Sequence, residues 1–358
     1  MRATIGLLEK AGSSSDDEEF RPAWWLPGPH LQSLWGALVR GFSPVEFHRE
    51  HLATPDGDEL VLDHVEVRAG SPRVVLLHGL EGSSYSSYVQ GFAALAIQRG
   101  WNVTALNFRH CARDLAAPHR TLPNKLPRLY HSGDSPDVAQ VVDTLIARDP
   151  RAPLFAAGAS LGGSILIRYL GEMGDRCPLR AAMVVSVPYD LAAGEVNLNC
   201  RVGRLYLQSF LTTLRPKVQG LIERFPDLAG RIDLAQLNAS RRFLDLDRTL
   251  TAPLHGFDSP EEYYARCSAI GYVGRLRVPT LSLSAEDDPF VAPGVVTRLR
   301  REAPPEMRVL STPKGGHVGF VAGTPWAPEY WMESLFVNWF ERWAHQFSST
   351  AGEVEVAA

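Results

Sequence analysis

The pentapeptide Gly158-Ala159-Ser160-Leu161-Gly162 constrains the fold of this chain more than any other stretch. It follows a short apolar run at 153–157, typical of a buried strand, and it precedes a segment at 164–172 with helical spacing. A serine on such a sharp turn takes a strained backbone conformation, and glycine two positions to either side avoids collisions with neighbouring elements. A chance match is the alternative, but the flanking strand and helix favour a nucleophile elbow with Ser160 as the nucleophile.

Strand-like and helix-like segments alternate on both sides of this turn. Short continuous apolar runs predict strands that are buried on both faces of a sheet. The predicted strands cover residues 74–77, 101–108, 153–157, 181–187, 278–284 and 307–311. The predicted helices cover residues 88–99, 138–147, 164–172, 291–301 and 329–346. Together with a hairpin over 45–67, this order predicts an α/β fold with a mostly parallel central sheet flanked by helices.

The alternation breaks between residues 190 and 272. Leucine and arginine recur there at helical spacing and no strand-like run occurs, so we expect a helical lid inserted into the core; a separate helical domain is the alternative. The core then comprises residues 21–189, which include an N-terminal arm with three tryptophans, and residues 273–347. We expect the arm to pack on the core, the alternative being that its rings line an acyl-binding groove. Residues 1–20 and 348–358 are expected to be mobile tails.

Composition narrows the function classes. A net charge of −4 gives no reason to expect nucleic acid as a partner. The four cysteines are far apart and form no CxxC pair, which favours reduced thiols over a zinc site or a disulfide framework. No apolar run reaches the roughly 18 residues needed to span a membrane, and the first residues are too weakly apolar for a signal peptide. We therefore expect a cytoplasmic protein.

Three reactive side chains follow the ends of predicted strands. A serine hydroxyl becomes a good nucleophile when a histidine takes its proton and a carboxylate orients that histidine. Ser160, Asp288 and His317 occur in that chain order, which is the order of the α/β-hydrolases. Because the carboxyl ends of parallel strands meet at one edge of a sheet, we expect these residues to form a catalytic triad. Asp288 is preferred because it directly precedes Pro289, and Asp287 is the alternative.

Acyl transfer also requires hydrogen-bond donors for the developing oxyanion. We expect these donors to be the backbone N–H groups of Leu161, which follows the nucleophile, and of Leu80, in the loop after the first parallel strand. His78 and Gly79 precede Leu80 and are expected to support this loop. A catalytic base is the alternative role for His78. No His, Cys or Asp spacing matches a metal site, and we expect no metal or other cofactor.

Further motifs extend from about residue 20 to residue 345. They are Pro29-His30-Leu31-Gln32, His78-Gly79-Leu80-Glu81-Gly82-Ser83, Asn107-Phe108-Arg109, Tyr130-His131-Ser132-Gly133, Gly256-Phe257, Tyr263-Tyr264, Asp287-Asp288-Pro289-Phe290 and Gly316-His317-Val318-Gly319-Phe320. In these motifs the chain resembles the YheT-like branch of the α/β-hydrolase superfamily, which is related to the animal ABHD lipases. The family commonly has Arg-Gly-Cys where this chain has Arg109-His110-Cys111. We expect the bulkier His110 to alter the adjacent pocket wall and not the triad.

The resemblance implies hydrolysis of carboxylic esters, with short- to medium-chain acyl esters as the usual substrates. We therefore expect a serine carboxylesterase that acts on small-molecule esters through an acyl-enzyme intermediate. An alcohol acyltransferase or a glycerolipid lipase with the same triad is the alternative among enzymes, and a binding module is the non-enzymatic alternative. Contact with a membrane or lipid surface is compatible with the sequence but not implied by it, and the sequence indicates no obligate protein partner.

Overall fold

The computed structural model describes residues 19–41, 45–117 and 119–355. The expected N-terminal tail therefore lies outside the described residues except for Glu19 and Phe20. Phe20 is buried, and its ring centroid lies 5.8 Å from that of Phe320 and 5.1 Å from that of Trp331. The described chain is thus packed against the core from Phe20 onward.

A central sheet of eight strands organises the molecule, and its strands follow the order β1-β2-β4-β3-β5-β6-β7-β8. The strands are β1 His48–Ala53, β2 Glu59–Val65, β3 Arg73–Leu77, β4 Asn102–Asn107, β5 Leu154–Ala159, β6 Ala181–Val185, β7 Thr280–Ala285 and β8 Met307–Thr312. β1 and β2 form the expected hairpin, β2 pairs antiparallel with β4, and all remaining neighbours are parallel. The α/β prediction is confirmed.

Helices cover both faces of the sheet. Outside the insertion they are α1 Pro29–Leu38, α2 Ser87–Gln98, α3 Ser135–Arg148, α4 Leu161–Met173, α12 Val295–Glu302 and α13 Trp331–Glu355. On one face, Phe92 of α2 and Phe336 of α13 stack with ring centroids 4.5 Å apart. On the other face, Val141 of α3 and Ile165 of α4 are fully buried. Each sheet face therefore has its own apolar layer, which explains why the central strands read as continuous apolar runs.

The segment between β6 and β7 is built from helices, as its spacing predicts. These are α5 Leu191–Leu198, α6 Arg201–Arg224, α7 Leu234–Ala239, α8 Phe243–Leu246, α9 Ala252–His255, α10 Pro260–Cys267 and α11 Ile270–Val273, with a π-helical turn at Asp247–Thr251. We call residues 190–272 the helical insertion. The buried face of α6 carries Leu207, Leu211, Leu214, Val218 and Leu221. Leu205 continues the apolar spacing of α6 but lies outside this face and is exposed.

Three element boundaries near the carboxyl end differ from the sequence predictions. A two-stranded hairpin, β9 Val321–Thr324 and β10 Ala327–Tyr330, occupies the start of the predicted last helix, so that helix begins at Trp331 instead of Glu329. Strands of four residues are too short to show a clear period. The last helix continues to Glu355, so its predicted end at Gln346 is wrong and the helix extends into the segment predicted as a tail. α12 begins only at Val295, because Pro293 and the left-handed Gly294 (φ 83°) precede it.

Candidate active site

Ser160 lies on the tight turn between β5 and α4. Its backbone is strained, with φ 53° and ψ −124°, and its N–H donates to the Val185 carbonyl at 2.8 Å. A Cβ atom at Gly158 would lie 2.7 Å from the carbonyl oxygen of Gly162, and one at Gly162 would lie 2.4 Å from the carbonyl oxygen of His78. Backbone atoms occupy the space in both cases. The expected reason for the two glycines, close approach of neighbouring chain, is therefore confirmed.

His317 lies between Ser160 and Asp288. Its Nε2 atom is 2.8 Å from Ser160 Oγ, and its Nδ1 atom is 2.9 Å and 3.1 Å from Asp288 Oδ2 and Oδ1. Asp288 Oδ1 also accepts the N–H of Phe290 at 2.8 Å, and the Asp288 carboxylate is buried. A carboxylate that accepts from Nδ1–H leaves Nε2 free of a proton, so this nitrogen can accept the serine proton.

Asp287, the alternative carboxylate, has a different partner. Its Oδ1 accepts the backbone N–H of Gly316 at 2.9 Å. On the other side of the histidine, the N–H of Val318 donates to Ser186 Oγ at 2.9 Å. Asp287 and Ser186 therefore hold the loop that carries His317 in place. The sequence did not indicate the contact of Ser186, which follows β6 and lies 132 positions from Val318.

The N-terminal arm also holds this histidine loop. Ser33 Oγ accepts the N–H of His317 at 2.7 Å and donates to the carbonyl of Pro29 at 2.7 Å. The buried amide of Gln32 donates to the carbonyl of Val321 at 3.1 Å and accepts its N–H at 2.8 Å. Within the motif Pro29-His30-Leu31-Gln32 only Gln32 makes these contacts, together with Ser33, which follows the motif. The sequence indicates the motif but not this support of the His317 loop. The signal was present, since Ser33 follows the motif directly.

The three tryptophans of the arm have different surroundings. The rings of Trp25 and Trp35 pack edge to face with centroids 4.5 Å apart, and Trp25 Nε1 donates to the carbonyl of Gly323 at 3.1 Å. Trp24 is 74% exposed. None of the three lines the cavity described below. Trp25 and Trp35 pack on the core as expected, whereas Trp24 does not.

The backbone N–H groups of Leu80 and Leu161 have no hydrogen-bond acceptor among the described residues. Leu161 follows Ser160 directly. The loop of Leu80 lies against Ser160, because a Cβ atom at Gly79 would be 3.2 Å from Ser160 Cβ. Unpaired N–H groups at such a place suit an oxyanion, which accepts hydrogen bonds strongly.

His78 supports the loop of Leu80 through both ring nitrogens. Nδ1 lies 2.7 Å from the carbonyl oxygen of Gly79, and Nε2 accepts the N–H of Phe108 at 3.0 Å. Since Nδ1 carries the proton and Nε2 accepts one, the ring is neutral. Burial lowers the pKa of His78 to about 3, which agrees with a neutral ring. These contacts are those of a loop-supporting residue.

The next residue of this loop, Glu81, joins it to the helical insertion. Glu81 has a left-handed backbone (φ 56°), and its carboxylate oxygens both lie 2.8 Å from Lys217 Nζ on α6. Its N–H donates to Tyr130 Oη at 2.6 Å, and that hydroxyl donates to Glu81 Oε1 at 3.1 Å. The side chains of Glu81 and Lys217 are 5% and 8% exposed. The sequence did not indicate this pair, whose members are 136 positions apart.

His110 does not line the cavity, so the expectation that it alters a pocket wall is wrong. It is buried in a left-handed turn (φ 63°), and its N–H donates to Asn124 Oδ1 at 2.7 Å. The glycine of the family pattern has a physical reason here, because glycine adopts this conformation at little cost. Its neighbour Arg109 forms buried ion pairs with Asp58 at 2.7 Å and Asp137 at 2.9 Å.

A cavity of about 560 Å³ lies over Ser160 and His317. Its walls come from α1, from the loop of Leu80 and from the helical insertion. The insertion contributes apolar side chains, which include Leu198, Phe210, Leu214, Phe243, Leu246 and Leu250. A cavity of this size and lining is typical of sites for small organic molecules.

One part of the cavity wall is polar. Asp247, in the π-helical turn, accepts hydrogen bonds from Tyr264 Oη and Thr251 Oγ1, both at 2.7 Å. Burial raises the pKa of Asp247 to about 6. The rings of His131 and His255 pack with centroids 4.6 Å apart, and burial lowers the pKa of each to about 3. The wall thus presents neutral imidazoles and a carboxyl group that is easily protonated.

Two classes of feature are absent from the described part of the chain. Its His, Cys, Asp and Glu side chains form no group of three or more that could hold a metal ion. None of its helices is both long enough and apolar enough to cross a membrane. The cysteines Cys111, Cys177, Cys200 and Cys267 are free thiols.

Sequence comparisons place the chain among known proteins. The model of the α/β-hydrolase fold family matches residues 72–324. The chain is 34% identical to YheT of Escherichia coli (strain K12), whose name proposes an esterase, over 92% of this chain and 95% of that protein. It is 28% identical to the phospholipase ABHD3 of Mus musculus, over 86% of this chain and 74% of that protein. It is 30% identical to the monoacylglycerol lipase of Saccharomyces cerevisiae, over 77% of this chain and 60% of that protein.

Solved structures share the fold at low sequence identity. An esterase of Pyrococcus furiosus has a TM-score of 0.53 at 16% identity, with 86% of this chain and 96% of that chain covered. An acylaminoacyl peptidase of Pyrococcus horikoshii has a TM-score of 0.53 at 14% identity, with 86% of this chain and 43% of that chain covered. These likenesses concern the fold alone. The sequence matches show that the chain belongs to the α/β-hydrolase superfamily, in the branch that contains YheT and ABHD3.

Proposed function

We propose that the chain is a serine carboxylesterase, which hydrolyses carboxylic esters through an acyl-enzyme intermediate on Ser160. The observation that carries this proposal is the continuous line of hydrogen bonds from Asp288 through His317 to Ser160 Oγ. The relatives add support, since an esterase, a phospholipase and a monoacylglycerol lipase all cleave ester bonds.

In the first half of the proposed reaction, Ser160 Oγ attacks the ester carbonyl while His317 Nε2 takes the hydroxyl proton. Asp288 keeps Nδ1 protonated and stabilises the imidazolium that forms. The carbonyl oxygen becomes an oxyanion and accepts hydrogen bonds from the N–H groups of Leu80 and Leu161. The C–O bond to the alcohol then breaks, and His317 gives its proton to the departing alkoxide.

In the second half, water repeats these steps on the acyl-enzyme. His317 takes a proton from water, the resulting hydroxide adds to the acyl carbon, and the same two N–H groups hold the second oxyanion. Collapse returns the proton to Ser160 Oγ and releases the carboxylic acid. Every proton transfer uses His317, so the proposed reaction requires no cofactor.

The cavity supports short- to medium-chain acyl esters as substrates. Its volume of about 560 Å³ accommodates a ligand of moderate size, and its apolar wall suits an alkyl chain. A panel of p-nitrophenyl esters of graded acyl length tests this range. We expect kcat/KM to pass through a maximum and to decline for chains that exceed the cavity.

Comparison of two serine variants tests the activity itself. Ser160→Ala should abolish ester hydrolysis, whereas Ser164→Ala should retain it. Ser164 lies on α4 one turn after Ser160, and its buried hydroxyl has no hydrogen-bond partner among the described residues. Full activity in Ser160→Ala would overturn the proposal. If the acyl group goes mainly to an alcohol that is added at low concentration, the assigned activity becomes acyl transfer to an alcohol, carried out by the same residues.

A further inference from the structure

Helix α1 turns an apolar face toward solvent. Leu31, Leu34 and Leu38 recur at helical spacing on one side of it, and they are 47%, 38% and 75% exposed. The buried residue of this helix is the polar Gln32. A surface helix of a globular protein normally has the reverse arrangement, with leucine inside and polar residues outside. The outward face of α1 therefore calls for an apolar neighbour.

This face borders the opening of the active-site cavity. Most residues that line the cavity are buried or half-buried. The lining residues that are exposed are Leu34, Ala37 and Leu38 on α1 and Ser209 on α6. The cavity consequently opens to solvent between these two helices, above Ser160.

The side of the opening formed by α6 is apolar as well. Leu205 lies one turn before Ser209, on the same side of the helix, and is 69% exposed. His30 Nδ1 and Tyr206 Oη lie 3.1 Å apart and join α1 to α6 next to this leucine. Leucines therefore stand on both sides of the opening.

Two arginines accompany Leu205 on α6. Arg201 and Arg204 are exposed, and no acidic side chain in the described ranges forms an ion pair with either of them. Cationic side chains beside exposed leucines are typical of protein surfaces that bind anionic lipid layers. This charge favours a lipid surface over a second copy of the chain as the occupant, because a second copy would bring the same arginines together.

We propose that this rim, defined as Leu31, Leu34, Leu38 and Leu205 with Arg201 and Arg204, docks the protein on an anionic lipid surface. Leu34 and Leu38 belong both to the exposed face and to the cavity wall. They form a continuous apolar path along which an acyl chain passes from the lipid layer toward Ser160. The purpose given to docking, which is passage of an acyl chain to Ser160, rests on the proposed function. Docking itself requires no catalysis.

Co-sedimentation with lipid vesicles tests the proposal in the full-length Ser160→Ala protein, which cannot turn over lipid. The vesicles are phosphatidylcholine alone, or phosphatidylcholine partly replaced by phosphatidylglycerol. The rim variant is Leu31→Gln with Leu205→Gln, since neither side chain lines the cavity. The charge variant is Arg201→Gln with Arg204→Gln. The control is Val67→Gln, an exposed apolar residue whose N–H donates to Asn102 at the opposite, amino-terminal edge of the sheet.

We expect binding to the mixed vesicles to exceed binding to phosphatidylcholine alone. The rim variant should lower the partition coefficient at least about tenfold. The charge variant should lower the partition coefficient about fivefold for each arginine, and this effect should appear only with the mixed vesicles. The control should bind like the parent protein, and the rim and control substitutions in the Ser160 protein should leave hydrolysis of a soluble short-chain ester unchanged.

Absence of vesicle binding by the parent protein would overturn the docking proposal. Vesicle binding by the rim variant that equals binding by the control would also overturn it. So would rim substitutions that convert a dimer in solution to a monomer, because they would identify a second copy of the chain as the occupant. Loss of docking with retained ester hydrolysis leaves the proposed function intact. Failure of the proposed function would instead appear as no Ser160-dependent hydrolysis of soluble esters, whatever the vesicles show.

Discussion

Lys217 Nζ lies 2.8 Å from both carboxylate oxygens of Glu81, and this buried contact joins the helical insertion to the loop of Leu80. Removing one member of a buried ion pair leaves the other charge without compensation in a poorly solvated place. Glu81 follows Leu80 directly, so a shift of its carboxylate moves the proposed oxyanion donor. We infer that Lys217 positions the active site from within the insertion.

Lys217→Met should therefore reduce both stability and turnover. Loss of one partner of a buried pair costs roughly 3 kcal/mol in the free energy of unfolding. We expect kcat for a soluble ester to fall more than KM rises, because the displaced Leu80 N–H is the proposed donor to the oxyanion and not to the bound substrate. Urea unfolding and steady-state kinetics measure the two effects.

The double variant Lys217→Met with Glu81→Gln separates positioning from simple loss of a side chain. It removes both charges, so its stability and kcat should exceed those of Lys217→Met. Arg266→Met is a control that breaks the exposed pair with Glu262 and should cost less than about 1 kcal/mol. Equal kcat in Lys217→Met and wild type would refute the positioning role.

The two neighbouring carboxylates should differ sharply in their effect on catalysis. Asp288→Asn removes the carboxylate that fixes the tautomer of His317, and in such triads this change lowers kcat roughly 10⁴-fold. Asp287→Asn only weakens a hydrogen bond to the Gly316 N–H, which predicts a loss of about tenfold. Comparison of kcat for the two variants checks the assignment, and the opposite ranking would transfer the role to Asp287.

The elbow glycines should tolerate no side chain. Gly158→Ala places a Cβ atom 2.7 Å from the carbonyl oxygen of Gly162, and overpacking against backbone destabilises by about 1–3 kcal/mol. Gly220→Ala is the matched control on α6, because a Cβ atom there meets nothing within 4 Å and alanine favours a helix by up to about 1 kcal/mol. Thermal unfolding should show a lower Tm for the first variant and an unchanged or higher Tm for the second. A Gly158→Ala protein as stable as wild type would show that the turn relaxes freely.

Buried histidines should make the fold sensitive to acid. Burial lowers the pKa of His78, His131 and His255 from 6.5 to about 3. Between pH 6.5 and about 3 these histidines bind more protons in the unfolded chain than in the folded one. The free energy of unfolding therefore decreases as pH falls below 6.5. Asp247 acts in the opposite direction between pH 3.8 and 6, because its pKa is raised to about 6.

His255→Gln isolates one of these histidines, since Asp247 is present in both proteins. Urea unfolding at a series of pH values should give a shallower decline for the variant, by up to about 1.4 kcal/mol per pH unit. Identical slopes for the variant and the wild type would show that His255 is protonated in the folded protein.

The sequence was most informative at positions where the chemistry or the backbone geometry requires one particular type of residue. The spacing around Ser160 predicted the elbow, and the order Ser, Asp, His predicted which side chains lie together. Apolar runs predicted the parallel strands because burial on both faces leaves no polar positions. These are local patterns or strand-end positions, and both can be read along the chain.

Contacts between distant segments could not be read in this way. The N–H of His317 donates to Ser33, 284 positions away, and Lys217 meets Glu81 across 136 positions. A serine or a lysine at such a position has many possible partners until the fold brings one of them near. The short hairpin β9–β10 was missed for a different reason, since four residues show no reliable period.

Covalent trapping of the acyl-enzyme tests the central claim most directly. The protein is mixed with a p-nitrophenyl ester, quenched in acid within the first turnover and digested, and the peptides are weighed by mass spectrometry. We expect the mass of the acyl group on the peptide that contains Ser160, and no acylated peptide from Ser160→Ala. An acyl group on a different residue, or turnover without any acylated peptide at full activity, would contradict the account.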